Sequence, residues 1–222
     1  MYNWQEKLLQ ISQKDGVTFS SSFSLEDQII TDFIAKNKLQ IEIFTIDTGR
    51  LFNETYEIWQ QTLDKYNIKI KAYYPNSKNL QKFLTKEGIN PFYNSKDLRL
   101  SCCNIRKVAP LHKALIGKSM WISGLRAGHA SNRNKKSYFE YDEKLQINKF
   151  YPLLKLELKE IWQYIRLNNI PYNSLYDKGF ESIGCAPCTH PGIGREGRWW
   201  WEKGHKECGI HIINGKIIRN VK

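Results

Sequence analysis

The chain has 222 residues, 34 Lys plus Arg against 22 Asp plus Glu for a formal net charge of +12, and it is 41% hydrophobic and 25% charged. Those proportions exclude a disordered polymer, and the length suits one α/β domain with a functional tail while crowding two full domains. No apolar run approaches the roughly 20 residues of a membrane span, and the start, Met1-Tyr2-Asn3-Trp4-Gln5-Glu6-Lys7, lacks the apolar centre of a secretory signal. A cytoplasmic protein with no membrane partner is the expectation. The positive balance favours anionic partners, whether nucleotides, sulfate esters, nucleic acid or acidic proteins, and chooses none of them.

In chain order, Val17-Thr18-Phe19-Ser20-Ser21-Ser22-Phe23 reads as a strand running into a phosphate-loop candidate. A helix follows, with Ser24 as its cap, Glu26 and Asp27 in the first turn, and Leu25, Ile29 and Phe33 at helical spacing. Residues 41–46 form the next strand and run into the loop Asp47-Thr48-Gly49-Arg50; helical patterning returns around Tyr56, Trp59 and Leu63. Residues 68–74 read as a third strand and residues 120–124 as a later one. Strands alternating with helices predict a doubly wound, mainly parallel α/β sheet. Ligands then sit beyond the carboxyl ends of the strands, so residues 20–27, 47–50 and 124–126 should converge on one crevice. From Gly179 onward the chain is rich in Gly, Cys, Arg and Trp with little periodicity, and it reads as a functional lid or tail.

Five cysteines divide as a pair, Cys102-Cys103, a Cys185-Ala186-Pro187-Cys188 motif, and a single Cys208. Cytosolic thiols stay reduced, so four of them point to a soft metal centre, and the spacing leaves zinc and iron–sulfur both open. If residues 101–115 are helical, Arg106 and Lys107 stand within about a turn of the cysteine pair, where cations would stabilise clustered thiolates. For Arg106 a surface charge is an equal reading. Cys208, in Lys206-Glu207-Cys208-Gly209-Ile210-His211, lies among cations and glycine rather than in an apolar run, which suits a nucleophilic thiolate.

Taken together, Cys185-Ala-Pro-Cys188, Arg195-Glu-Gly-Arg198-Trp199-Trp200-Trp201-Glu202 and Glu207-Cys208-Gly209-Ile210-His211 resemble the bacterial adenylyl-sulfate (APS) reductases of the APS/PAPS reductase family. Cys102-Cys103-Asn-Ile-Arg106-Lys107-Val-Ala-Pro110-Leu111, the Asp47-Thr48-Gly49-Arg50 loop and Ser21-Ser22-Phe23-Ser24 followed by Glu26-Asp27 extend the likeness from about Gly16 to His211. The resemblance implies a fold related to the ATP pyrophosphatases (adenine nucleotide alpha hydrolase-like), with residues 1–194 as a nucleotide-binding reductase domain and residues 195–222 as a tail over the active site. It implies one 4Fe-4S cluster on Cys102, Cys103, Cys185 and Cys188, with Lys107 coupling cluster to substrate. It implies that Ser20, Ser21, Ser22, Phe23 and Ser24 wrap the phosphosulfate and that Asp47, Thr48 and Gly49 border it. Arg126, Arg195 and Arg198 would clamp its oxygens, Trp199 would form a stacking or packing wall, Cys208 would attack sulfur, and His211 would hold the tail or the substrate. The implied partners are APS and a separate dithiol protein such as thioredoxin, with no stable nucleic acid; a homo-oligomer, dimer or tetramer, is compatible. Reduction of the 3'-phosphorylated substrate (PAPS) is the alternative, as is acceptance of both nucleotides.

Overall fold

The computed structural model describes residues 3–129 and 135–203. Its centre is β1 (Val17–Ser20), whose Phe19 is fully buried and which pairs in parallel with β2 (Glu42–Ile46) on one side and β4 (Met120–Ser123) on the other. β3 (Ile70–Tyr73) adds beyond β2, and β6 (Ile147–Phe150) beyond β4, both parallel. β5 (Phe139–Asp142) closes the six-stranded order β3-β2-β1-β4-β6-β5 as the one antiparallel edge. The mainly parallel, doubly wound sheet is the architecture expected from the alternation of elements. The chain winds outward from β1 through β3 and then returns to start the other half at β4, so the order reverses between β1 and β4 and opens a crevice at their carboxyl ends.

Helix α2 (Leu25–Lys36) follows β1, and Ser24 caps it as anticipated, its Oγ accepting from Asp27 N at 3.2 Å. Ten of the 12 residues of α2 are buried, because it lies between the sheet and α7 (Leu158–Leu167). With α1 (Trp4–Ile11) these two helices seal the larger core, built on Leu8, Phe19, Ile29, Ile122, Phe150 and Ile161. The opposite face buries Phe44, Leu111, Leu115, Trp121 and Ile147. Helices α3 (Asn53–Tyr66) and α4 (Ser77–Glu87) make the connections around β3. The helix read over residues 101–115 begins earlier and is interrupted: α5 (Lys96–Cys103) passes through a π-helical turn (Asn104–Val108) into α6 (Ala109–Leu115). That widened turn directly follows the cysteine pair, and such turns recur at functional sites.

The β5–β6 hairpin had no sequence signal, because a four-residue strand with Glu140 and Asp142 does not carry a hydrophobic pattern. Tertiary partners supply it: Phe139 stacks on Phe150 with centroids 4.6 Å apart, and Lys136 and Lys149 pair with Glu140 and Asp142. Among the described residues no helix is long and apolar enough to cross a membrane.

Phe19→Ala in the central strand should lower the unfolding free energy by about 3–5 kcal/mol, the usual cost of emptying a buried aromatic site. A drop in the urea midpoint at unchanged slope measures it.

Candidate functional site

After Ser20 the chain leaves β1 and turns sharply. Ser21 N donates to Phe44 O at 2.8 Å, and Phe23 takes a left-handed backbone, φ 60°, which a bulky residue keeps only when its surroundings insist. Here they do, because the buried Phe23 ring stacks on Trp59 at 5.5 Å. The loop is closed from below by Asp27, whose Oδ2 accepts from both Ser22 N and Ser22 Oγ at 2.7 Å. Burial raises the Asp27 carboxyl to about 6 despite those hydrogen bonds. Gly124, at the end of β4, is required here: a Cβ at that position would overlap Asp27. Beside it, the buried Glu26 pairs with the equally buried Arg126 at 2.9 Å.

A cavity of ≈ 190 Å³ opens at these strand ends, walled by Ser20, Ser21, Ser22, Phe23 and Ser24 on one side and by Thr48, Lys107, Arg195 and Arg198 on the other. Residues from the ends of β1, β2 and β4 meet there, as the switch-point argument requires. Ser20 is oriented from behind by Trp121, whose Nε1 donates to its Oγ at 2.8 Å. Asp47 serves the adjoining loop from within: its Oδ1 accepts from Gly49 N at 2.7 Å and from Tyr56 Oη at 2.9 Å. Burial, with that carboxylate as the next contribution, pushes the Tyr56 hydroxyl up to about 12.

The two cysteine pairs, about 80 positions apart in sequence, line one second cavity of ≈ 30 Å³ together with Phe92, Arg99 and Trp199. Burial raises the thiol pKa of Cys102 and of Cys188, so bare thiolates are unfavourable there without a cation among them. The wall carries donors. Arg106, buried rather than on the surface, gives Nη1 to Thr48 O at 2.7 Å and faces Cys102. Thr48 Oγ1 accepts from Arg50 N at 3.2 Å and lies 3.3 Å from Cys185 Sγ. Two further donors on the same wall, Trp199 Nε1 and Arg198 Nε, are buried with no partner among the described residues. A thiolate-ligated anionic group in this cavity would answer both deficits, the desolvated sulfurs and the orphaned donors. Among the described residues no three His, Cys, Asp or Glu side chains are gathered as a single ion's ligands.

Thr48, Lys107, Cys185 and Arg198 belong to both cavities. Arg198 occupies their common wall. Its Nη1 donates to Ile183 O at 3.3 Å, its guanidinium lies 4.8 Å from the Trp199 ring, and it rests against Gly184, where any Cβ would overlap it. Trp199 is 1% exposed, has φ 44°, and also carries Arg99 at 4.6 Å and Arg195 at 5.7 Å.

Of the residues singled out in the sequence, the structure thus gathers the serine loop, Thr48, Lys107, Arg195 and Arg198 around the first cavity, and the four cysteines and Trp199 around the second. Arg126 lies behind the loop on Glu26, and Asp47 and Gly49 shape their loop without lining either cavity. Cys208 and His211 lie outside the described residues. Sequence reasoning missed Arg99, Trp121, Tyr176 and Gly184 as parts of these walls; only Gly184, directly before the Cys185 motif, carried a local hint.

The chain matches the family model described as the phosphoadenosine phosphosulfate reductase domain over residues 16–191. It is 42% identical to an adenosine 5'-phosphosulfate reductase of Sinorhizobium fredii, over 96% of this chain and 88% of the relative. Its structure resembles that of a phosphoadenylyl-sulfate reductase from Candida auris, with TM-score 0.74 and 26% identity over 85% of this chain and 91% of the other. The fold alone is shared with an FMN adenylyltransferase of Candida glabrata, at TM-score 0.58 and 14% identity, covering 86% of this chain and 64% of the other.

The raised Asp27 pKa has a definite sign. The folded chain holds this proton more tightly than the unfolded one, so the associated stability is fully present below the ordinary value of 3.8 and is lost as pH rises toward about 6. The loss is on the order of 3 kcal/mol across that window. In urea unfolding between pH 4 and 7, wild type should lose on the order of 3 kcal/mol more stability with rising pH than Asp27→Asn, whose curve is the flatter.

Proposed function

The chain belongs to the phosphoadenosine phosphosulfate reductase domain family, and on that premise we propose that it reduces adenylyl sulfate to sulfite and AMP, using electrons from an external dithiol, in sulfate assimilation. The observation that carries the reading is the wall common to two cavities: the crevice at the strand ends and the four-cysteine cavity share Thr48, Lys107, Cys185 and Arg198. The high-coverage likeness to a protein named for APS favours that nucleotide over its 3'-phosphorylated form.

In this reading the phosphosulfate lies against the serine loop at the N-terminal end of α2, where the helix dipole favours an anion. Arg195, Arg198 and Lys107 screen the phosphate and sulfate oxygens, whose charge otherwise repels an incoming thiolate. The Cys208 thiolate attacks sulfur, the bond from sulfur to the phosphate oxygen breaks, and AMP leaves with that electron pair. The chain then carries an S-sulfocysteine. A thiolate of a dithiol protein, thioredoxin or a similar carrier, attacks Cys208 Sγ and expels sulfite, and the second thiol of the carrier resolves the mixed disulfide. The dithiol supplies two electrons and sulfur falls from the sulfate to the sulfite level. Attack by Cys208 rests on the sequence around it and on its place beyond the arginine-bearing turn.

Cys102, Cys103, Cys185 and Cys188 would hold a 4Fe-4S cluster: thiolates spread round a cavity, orphaned donors in its wall and adjacent cations suit a polynuclear group better than one zinc ion. When bound, the cluster supplies a fixed electrostatic element beside Lys107 and Arg198.

Anaerobic protein incubated with labelled APS and no reductant should acquire a sulfonate on the Cys208 peptide by mass spectrometry. Cys208→Ser should lose the adduct and turnover while keeping its iron, and Cys185→Ala should lose iron and visible absorbance. Persistence of turnover in Cys208→Ser, or a higher kcat/KM for the 3'-phosphorylated nucleotide, overturns the reading.

A further inference from the structure

Arg99 precedes Cys102 and Cys103 on α5 by three and four positions, so all three side chains share one helix face. It is 1% exposed. Its guanidinium makes three contacts that together span the site. Nε and Nη2 form a fork on the two carboxylate oxygens of Glu202, at 2.9 and 2.8 Å; the plane lies 4.6 Å from the Trp199 ring; and the group hydrogen bonds to Cys103. Glu202 is itself the end of a wound segment, residues 195–202, in which Arg198 N donates to Arg195 O at 3.1 Å and Glu202 N to Trp199 O at 2.8 Å. Arg195 and Arg198 sit on that segment and line the first cavity.

The backbone needs such an anchor. Trp199 is left-handed at φ 44°, a conformation unfavourable for a large side chain, and the segment contains no regular helix or strand to hold it. The forked pair acts beside the other ties of the segment, among them Trp199 N to Cys188 O at 3.0 Å, His190 N to Gly197 O at 2.9 Å and Arg198 Nη1 to Ile183 O at 3.3 Å. A forked guanidinium–carboxylate pair fixes orientation as well as distance, which a single hydrogen bond does not.

We propose that Arg99 and Glu202 are positioning residues for anion recognition: their forked pair clamps residues 195–202 onto the cysteine-bearing helix and so holds Arg195 and Arg198 at the phosphate-binding cavity. The inference deepens the proposed function and rests on it for the identity of the anion. Neither residue touches the first cavity; both act through the arginines, and Arg99 ties that action to the helix of the cysteine pair.

The test is AMP binding to the full-length, anaerobically purified chain, by calorimetry well below its melting temperature. Glu202→Gln preserves shape and removes the charge, leaving Arg99 buried without its counter-ion, and should weaken AMP binding about tenfold or more. Glu202→Asp keeps the charge with a shorter reach and should recover part of that loss, and it serves alone if Glu202→Gln does not fold. Iron content should match wild type in both. If AMP affinity in the variants stays within twofold of wild type while only the melting temperature falls, the pair is merely structural and the proposal is overturned. Wild-type protein that binds no AMP sinks the adenylyl-sulfate reading instead. The clamp is then decided on inorganic sulfate, by the same comparison of wild type with the two variants.

Discussion

A guanidinium taken out of water demands acceptors for its donors and a surface for its flat faces, and the site is organised around meeting that demand three times on one indole. Trp199 carries Arg99, Arg195 and Arg198 within 6 Å of its ring, although like charges so close repel one another. The repulsion is contained because each charge has a different outlet. Arg99 is neutralised by Glu202, Arg198 gives Nη1 to Ile183 O, and Arg195 lines the crevice.

The opposite wall solves the complementary problem. Two carboxylates, Glu26 and Asp27, stand directly behind a loop suited to anions, where their charge would oppose binding. Glu26 is compensated by Arg126, and Asp27 is held by two hydrogen bonds from Ser22 while burial shifts it toward the neutral form. The same carboxylate that threatens the site electrostatically is what shapes the loop mechanically. Gly124 provides the space that lets β4 approach it.

The fold itself is not specific to this chemistry, since an FMN adenylyltransferase at 14% identity shares it. Around the site, elements beyond the sheet carry the cysteines and arginines: the π-helical turn after the cysteine pair, the Cys185–Cys188 turn, and the wound segment 195–202. Phe92, Cys188 and Trp199, with the other cysteines packed against them, form a separate small core there.

The sequence by itself determined the alternation of strands and helices, the Ser24 cap and the division of the cysteines, because these follow from backbone preference and spacing within one or two turns. It also carried a family resemblance through motifs contiguous enough to read. The tertiary structure alone decided which motifs share a wall. Arg126 looked equivalent to Arg195 and Arg198 as a basic residue in a loop, yet it lies on Glu26, 100 positions away, while the other two line the crevice. Arg106, equally open to a surface reading, is buried on Thr48. Arg99 gave no sign at all, since its partner Glu202 is 103 positions distant. The β5–β6 hairpin was invisible for the same cause. Burial and charge pairing are properties of chain segments brought together by the winding of the sheet, and no local pattern encodes which cation will meet which carboxylate once that winding is complete.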